Sequence, residues 1–190
     1  MNVRLMDISN IKGGKRLPKG YYLISEKNKH PYITVSDMNK GSVNLKSIKY
    51  VPEDVVKKIS KYTITDKDIF ISVAGTLGII GIIPSELNGA NLTENADKIT
   101  DIKIDQNFLF YLLNTDIIKK LIHRTKTDNA QPKLALKEIR KLEFYYPKNT
   151  KEERKIASFL SNIDEKINLI EININLLKKY KKGLLQKLFI

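Results

Sequence analysis

Glu153-Arg154-Lys155 has the acid-x-lysine spacing with which metal-dependent nucleases hold a cation and orient a water. No Pro-Asp partner on a strand precedes it, and the triplet falls in the first turn of a predicted helix, where acids complement the positive end of the helix dipole. Gly13-Gly14-Lys15-Arg16 places cations after glycines but lacks the upstream glycine and the Ser/Thr of a phosphate-cradling loop. The two histidines, His30 and His123, have no ligand pattern around them. Ser158 and Ser161 have no histidine and acid arrayed to activate a nucleophile. The chain has no cysteine, which excludes disulfides, zinc–thiolate sites and thiol catalysis. These patterns predict no catalytic residue, no metal and no cofactor.

Binding is the better-supported chemistry. Among 190 residues, 34 are basic and 21 acidic, a net charge of +13. A surplus of that size suits a polyanion, nucleic acid first and an anionic membrane surface second. Sequence readout needs donors and acceptors that reach base edges, and affinity needs cations near phosphates. The loop residues that supply both are Arg16 and Lys19; Ser36, Asp37, Asn39 and Lys40; and Arg124, Lys126, Thr127, Asn129, Gln131 and Lys133. Any one of them taken alone is more often an ordinary solvated side chain. Glu94 and Asn95 read as turn or capping residues, and Gly75, Gly78 and Gly81 as positions that free the backbone.

Two textures of sequence must position these groups. Residues 1–149 mix short strands and helices with many turns. Strands are predicted at 21–24, 32–35, 62–64, 69–73, 79–83 and 143–146, rich in Ile, Val, Tyr and Thr and bounded by turn formers. Pro52-Glu53-Asp54 opens a short helix. Phe108, Leu109, Leu112, Leu113, Ile117, Leu121 and Ile122 follow helical spacing, which predicts one helix over 106–124. The class is α+β with a mixed or mostly antiparallel sheet.

Residues 150–190 read as a single helix. Thr150 and Glu153 have the spacing of a capping box. Ile156, Leu160, Ile163, Ile167, Ile170, Ile174, Leu177, Lys181, Leu184 and Leu188 then alternate steps of four and three. This is a heptad seam with one polar position, and it calls for a partner helix. Asp164, Glu165 and Glu171 lie in the first half, while Lys178, Lys179, Lys181, Lys182 and Lys187 lie in the second. Antiparallel self-pairing sets acids against lysines, so an antiparallel coiled-coil homodimer is expected.

Charged residues near the N-terminus interrupt any signal-peptide core. The longest uncharged stretch, 69–85, is broken by Gly75, Gly78, Gly81 and Pro84, which argues against a membrane span. The reading is a cytoplasmic protein.

Three stretches resemble type I restriction–modification specificity subunits. The first runs from Leu5-Met6-Asp7-Ile8 through Gly14-Lys15-Arg16-Leu17-Pro18-Lys19-Gly20 to Tyr32-Ile33-Thr34-Val35-Ser36-Asp37-Met38. The second is Gly75-Thr76-Leu77-Gly78 followed by Leu92-Thr93-Glu94-Asn95-Ala96-Asp97-Lys98-Ile99. The third is Gln131-Pro132-Lys133-Leu134, Tyr146-Pro147, Glu153-Arg154-Lys155-Ile156-Ala157 and the seam ending Gly183-Leu184-Leu185-Gln186-Lys187-Leu188. The resemblance implies a non-catalytic, half-size subunit: one target-recognition domain (1–149) that reads double-stranded DNA, and one spacer helix (150–190). Its implied partners are methyltransferase (M) and restriction (R) subunits, with no membrane. The other readings of the residues are a coiled-coil adaptor that binds no DNA, a nuclease with an unseen site, and a membrane-surface protein.

Overall fold

Residue 70 shows how the layers are stacked. The structure is a computed structural model that describes residues 2–124, 133–147 and 149–189, apart from the side chain of His123. Strand β6 is Ile69-Phe70-Ile71-Ser72 and is buried along its whole length. Ile69 and Ile71 join one apolar cluster and Phe70 another. An uninterrupted apolar strand of this kind is covered on both faces.

In chain order the other elements are β1 (Asn2–Arg4), α1 (Leu5–Ile8), β2 (Asn10–Gly13), β3 (Pro31–Ile33), β4 (Lys49–Tyr50), α2 (Val56–Ile59) and β5 (Thr63–Ile64). After β6 come β7 (Ile80–Ile82), β8 (Ala90–Leu92), β9 (Ala96–Thr100), α3 (Gln106–Leu113) and α4 (Asp116–Arg124). They are followed by α5 (Leu136–Arg140), β10 (Glu143–Tyr145) and α6 (Thr150–Leu188). The central sheet has the order β2-β9-β6-β7 and is antiparallel throughout. A second sheet, β4-β3-β8-β5, is mixed, because β3 and β8 run parallel. A two-stranded clasp joins β1 to β10, with Asn2 opposite Tyr145. On one face of the central sheet, Ile11, Ile69, Ile71 and Ile99 pack with Leu109 and Leu113 of α3, Ile118 and Ile122 of α4, and Ile139 of α5. On the other face Phe70 meets Ile33, Ile64 and Leu92 of the second sheet. The predicted α+β class with a mixed sheet and a long C-terminal helix is thus the observed one.

Four local expectations differ from what forms. The helix expected over 106–124 is two helices. Asn114 donates its side-chain amide to the Phe110 carbonyl, and Thr115 its hydroxyl to the Leu112 carbonyl. Side chains that bond the backbone in this way end a helix and allow another to start. Residues 21–24 form no strand beyond a bridge of Ile24 to Tyr50, since a turn closes from Tyr21 N–H to the Pro18 carbonyl. After Pro52 the chain makes a turn before α2 begins at Val56. The predicted Thr150–Glu153 capping box is replaced by Asn149, whose side chain accepts from Lys151 N–H at 2.9 Å. Glu153 is buried and accepts from the Asp105 N–H at 3.0 Å. Asp105 in turn caps α3 by accepting from Phe108 N–H.

The first turns of α6 therefore belong to the globular body. Ala157 is buried, and Tyr111 of α3 donates to Asp164 at 2.7 Å. Beyond that contact the helix projects; its 39 residues span about 60 Å. Ile167, Ile170, Ile174, Leu177 and Leu188 of the seam are exposed, Leu177 to 66 %. A second run of exposed apolar side chains, Leu169, Ile172, Leu176 and Tyr180, lies off the seam. No helix among the described residues is long and apolar enough to cross a membrane.

Candidate nucleic-acid interface

The C-terminal ends of β2, β3, β6 and β8 share one rim, because β9 runs antiparallel to both β2 and β6 while β3 and β8 run parallel. Backbone hydrogen bonds tie the loops that leave this rim. Gly14 N–H donates to the Ala96 carbonyl, Lys15 N–H to Leu92, and Thr93 N–H to Ile33, at 3.0, 2.8 and 3.0 Å. Val73 and Ala74 N–H both donate to the Asn95 carbonyl. Leu134 N–H donates to the Val73 carbonyl, and Lys133 bridges Ala74. Segments far apart in sequence, around residues 16, 34–37, 73–78, 93–95 and 133, are thereby brought together.

Arg16 lies on this rim and pairs with Glu94 at 3.1 Å while its side chain stays 74 % exposed. Such a surface pair is weak and leaves the guanidinium able to exchange partners. The Ser36 hydroxyl shares a hydrogen bond with that of Thr34. Asp37 does not present itself to a ligand. It is buried and accepts from Thr34 N–H, the Thr34 hydroxyl and the Ser47 hydroxyl, so its carboxylate holds the turn.

Asn39 and Lys40 sit in a turn closed by Asn39 N–H to the Ser42 carbonyl. Gly41, at φ +91°, seats this turn against β7 by bonding the Ile80 carbonyl. The seat is tight, since a Cβ on Gly81 would lie 2.7 Å from the Gly41 carbonyl carbon. Lys40 then lines a cleft of about 270 Å³ with Thr76, Gly78, Asn114, Lys119 and Ile122. Buried Ser72 holds the 73–78 loop by donating to the Thr76 carbonyl and accepting from Ile79 N–H. Arg124 ends α4, two residues beyond Ile122 of that cleft. Lys19 stands apart, beside Tyr21, which packs against the cluster containing Val55 and Ile59. Lys126, Thr127, Asn129 and Gln131 lie outside the described residues. Thr76, Asn114 and Lys119 were not singled out from sequence. The Gly75-Thr76-Leu77-Gly78 run was the available signal for the first, and the two side chains on the helices carried none.

The residues considered for chemistry are placed in structural roles. Glu153 is sealed against α3. His30 lies 3.4 Å from Glu53 at the surface. Among the described residues no acid–histidine group has metal-binding geometry.

Asp97 on β9 is the one buried side chain among the described residues with an oxygen, Oδ2, that finds no hydrogen-bond partner. Burial pushes its carboxyl up to about 6, against a smaller opposing pull from Arg140. A folded-state value above the unfolded 3.8 means that the fold prefers the protonated acid. The associated stability is full below about pH 4 and is lost as pH rises through about 6. Asp97→Asn is therefore expected to raise the melting temperature at pH 7.5, by on the order of 5 °C. Thermal denaturation from pH 4 to 8 should show the gain vanish at the acid end. A gain that persists at pH 4 contradicts this account.

The architecture is a loop-rimmed α+β head on a projecting helix. The family model for the type I restriction modification DNA specificity domain matches residues 1–179. Similar proteins include the type I restriction enzyme MjaVIII specificity subunit of Methanocaldococcus jannaschii, 26% identical over 178 residues covering 90% of this chain and 40% of that one. The putative type I restriction enzyme MjaX specificity subunit of the same organism is 27% identical over 172 residues, covering 84% of this chain and 39% of that one. The fold is also that of the S subunit of the type I system of M. genitalium, with TM-score 0.64, 21% identity, and coverage of 95% of this chain and 44% of that one. The HsdS subunit of Thermoanaerobacter tengcongensis matches with TM-score 0.64, 17% identity, and coverage of 90% and 38%. The chain belongs to the type I restriction–modification specificity family, and it spans about two fifths of the length of the curated relatives it matches. Members of that family are the non-catalytic subunits of their complexes.

Proposed function

We propose that the chain is a cytoplasmic half-size specificity subunit. Its rim reads one half of a bipartite duplex site, and its helix pairs with a second copy and docks methyltransferase subunits. The observation that carries this reading is the convergence of Arg16, Ser36, Asn39, Lys40, Arg124 and Lys133 loops around one rim and its adjoining cleft. Hydroxyl, amide and cationic groups on such a rim suit base edges and phosphates together. The run Leu169, Ile172, Leu176 and Tyr180 supports docking, because it stays uncovered if the seam is taken by a second copy.

The expected behaviour is salt-dependent binding of duplex DNA by the purified chain, without methylation or cleavage. Methylation with S-adenosylmethionine should appear only when methyltransferase subunits are added, since they supply the cofactor site and the pocket for an extruded base. Product formed by the chain alone, and surviving repurification, refutes the non-catalytic role. Absence of DNA binding at any salt concentration refutes the reader.

A further inference from the structure

Beside the rim, along β2, a second cleft of about 360 Å³ opens between the two larger sheets and α5. Its lining includes Lys12 of β2, Lys61 before β5, Lys98 of β9 and Arg140 at the end of α5, and it includes no carboxylate. Four cations drawn from three elements and a turn face one opening. Tyr62 and Thr63 complete the wall, and Lys15 lies over the Tyr62 ring at 5.8 Å, which extends the positive field toward Arg16.

Of the acids nearby, Asp97 is buried beside Gly13 and feels Arg140, while Asp68 and Asp101 are engaged by lysines. Asp68 accepts from Thr65 N–H and pairs with Lys98 at 3.4 Å, which fixes that ammonium while leaving it further donors. Asp101 lies 3.7 Å from Lys12 in an exposed and therefore weak pair. Arg140 spends one N–H on the Ile11 carbonyl at 3.2 Å, which orients the rest of its guanidinium fork. Lys61 makes no ion pair among the described residues and is exposed. Gly13 and Gly14 line the same cleft.

We infer that this cleft is a phosphate seat, in which Lys12, Lys61, Lys98 and Arg140 hold the sugar–phosphate backbone of the strand whose bases meet the rim. The inference rests on the DNA-reading proposal and adds a surface that the polar loops do not include. Fixed cations with a neighbouring hydroxyl are what backbone positioning requires, and they carry no sequence preference. The rim then selects sequence, while the cleft sets register and supplies sequence-independent affinity.

The test uses the purified full chain and a fluorescein-labelled duplex of random sequence, with affinity measured from 50 to 200 mM NaCl. Lys12→Gln and Lys61→Gln remove exposed charges, and circular dichroism melts check that both variants stay folded. Lys27→Gln, at the far end of β3 from the rim, removes one charge elsewhere. Each cleft variant should weaken binding about five- to tenfold at low salt and reduce the slope of log K against log salt by about one unit. The double variant should lose about two units, and Lys27→Gln should leave the slope unchanged. Wild type that binds no duplex overturns the DNA reading itself. Wild type that binds, with a double variant of unchanged affinity and slope, overturns the phosphate seat alone. An equal loss in Lys27→Gln also overturns it, because general charge then accounts for the effect.

Discussion

Ile170→Asp is expected to sediment as a monomer at micromolar concentrations at which the proposed pairing makes the wild-type chain a dimer. The seam on α6 is exposed from Ile163 to Leu188, with Ile170 at 57 % near its middle. Fully burying an aliphatic side chain of this size gives roughly 1.5–3 kcal/mol, so a seam this long drives association. An aspartate placed there must be desolvated on both helices of a symmetric pair, which gives an increase in Kd of about 100-fold or more. In the proposed pair, the acids Glu165 and Glu171 set against the lysine-rich second half would favour the antiparallel orientation. Asp164, which the sequence pattern counts among those acids, is held by Tyr111 and contributes less to that choice. Orientation is readable separately because the chain has no cysteine. A Leu184→Cys variant forms a disulfide-linked dimer on oxidation only if like positions face each other, as in a parallel pair. A monomeric wild type refutes self-pairing, and ready cross-linking of Leu184→Cys refutes the charge argument.

Gly14→Ala is expected to melt well below the wild-type chain. A Cβ at this position would overlap the backbone carbonyl oxygens of Leu92 and Thr93. Those atoms belong to main chain fixed on both sides, by Lys15 N–H to the Leu92 carbonyl and by Thr93 N–H to the Ile33 carbonyl. Relief therefore requires separating β2 from the loop between β8 and β9, and the bonds that tie the rim go with it. Overpacking within a close-packed interior costs about 1–3 kcal/mol, and against immobile backbone the cost lies at the top of that range or above it. The expected fall in melting temperature is about 10 °C or more. Gly20→Ala provides the contrast in space: a Cβ at Gly20, whose φ is +91°, would have no atom within 4 Å, leaving only conformational strain. A Gly14→Ala protein that melts within a few degrees of wild type contradicts the close approach seen here.

The sequence exposes what depends on period and withholds what depends on partners distant along the chain. The apolar run at β6 and the heptad seam are periodic signals, and both elements form. The break at Asn114 is a competition between side chain and backbone inside an otherwise regular helical pattern, so spacing alone reads through it. Glu153 has the right offset for a cap, yet the backbone N–H it satisfies belongs to Asp105, 48 positions away. Ser36 and Asp37 are adjacent polar residues in one loop, and only the fold shows that the second is turned inward by Thr34 and Ser47. The rim itself could not be read, because it is made by hydrogen bonds between five separate segments. The basic cleft was hidden for a simpler reason: Lys12, Lys61, Lys98 and Arg140 are single cations in a lysine-rich chain, with nothing local to mark them.

The clasp between β1 and β10 has a consequence for how the helix is rooted. Asn2 lies opposite Tyr145 and Arg4 opposite Glu143, so the strand that leads into the helix is paired a few residues before α6 starts at Thr150. The long lever formed by α6 therefore springs from paired backbone, held further by Glu153 and Tyr111, rather than from a free tether.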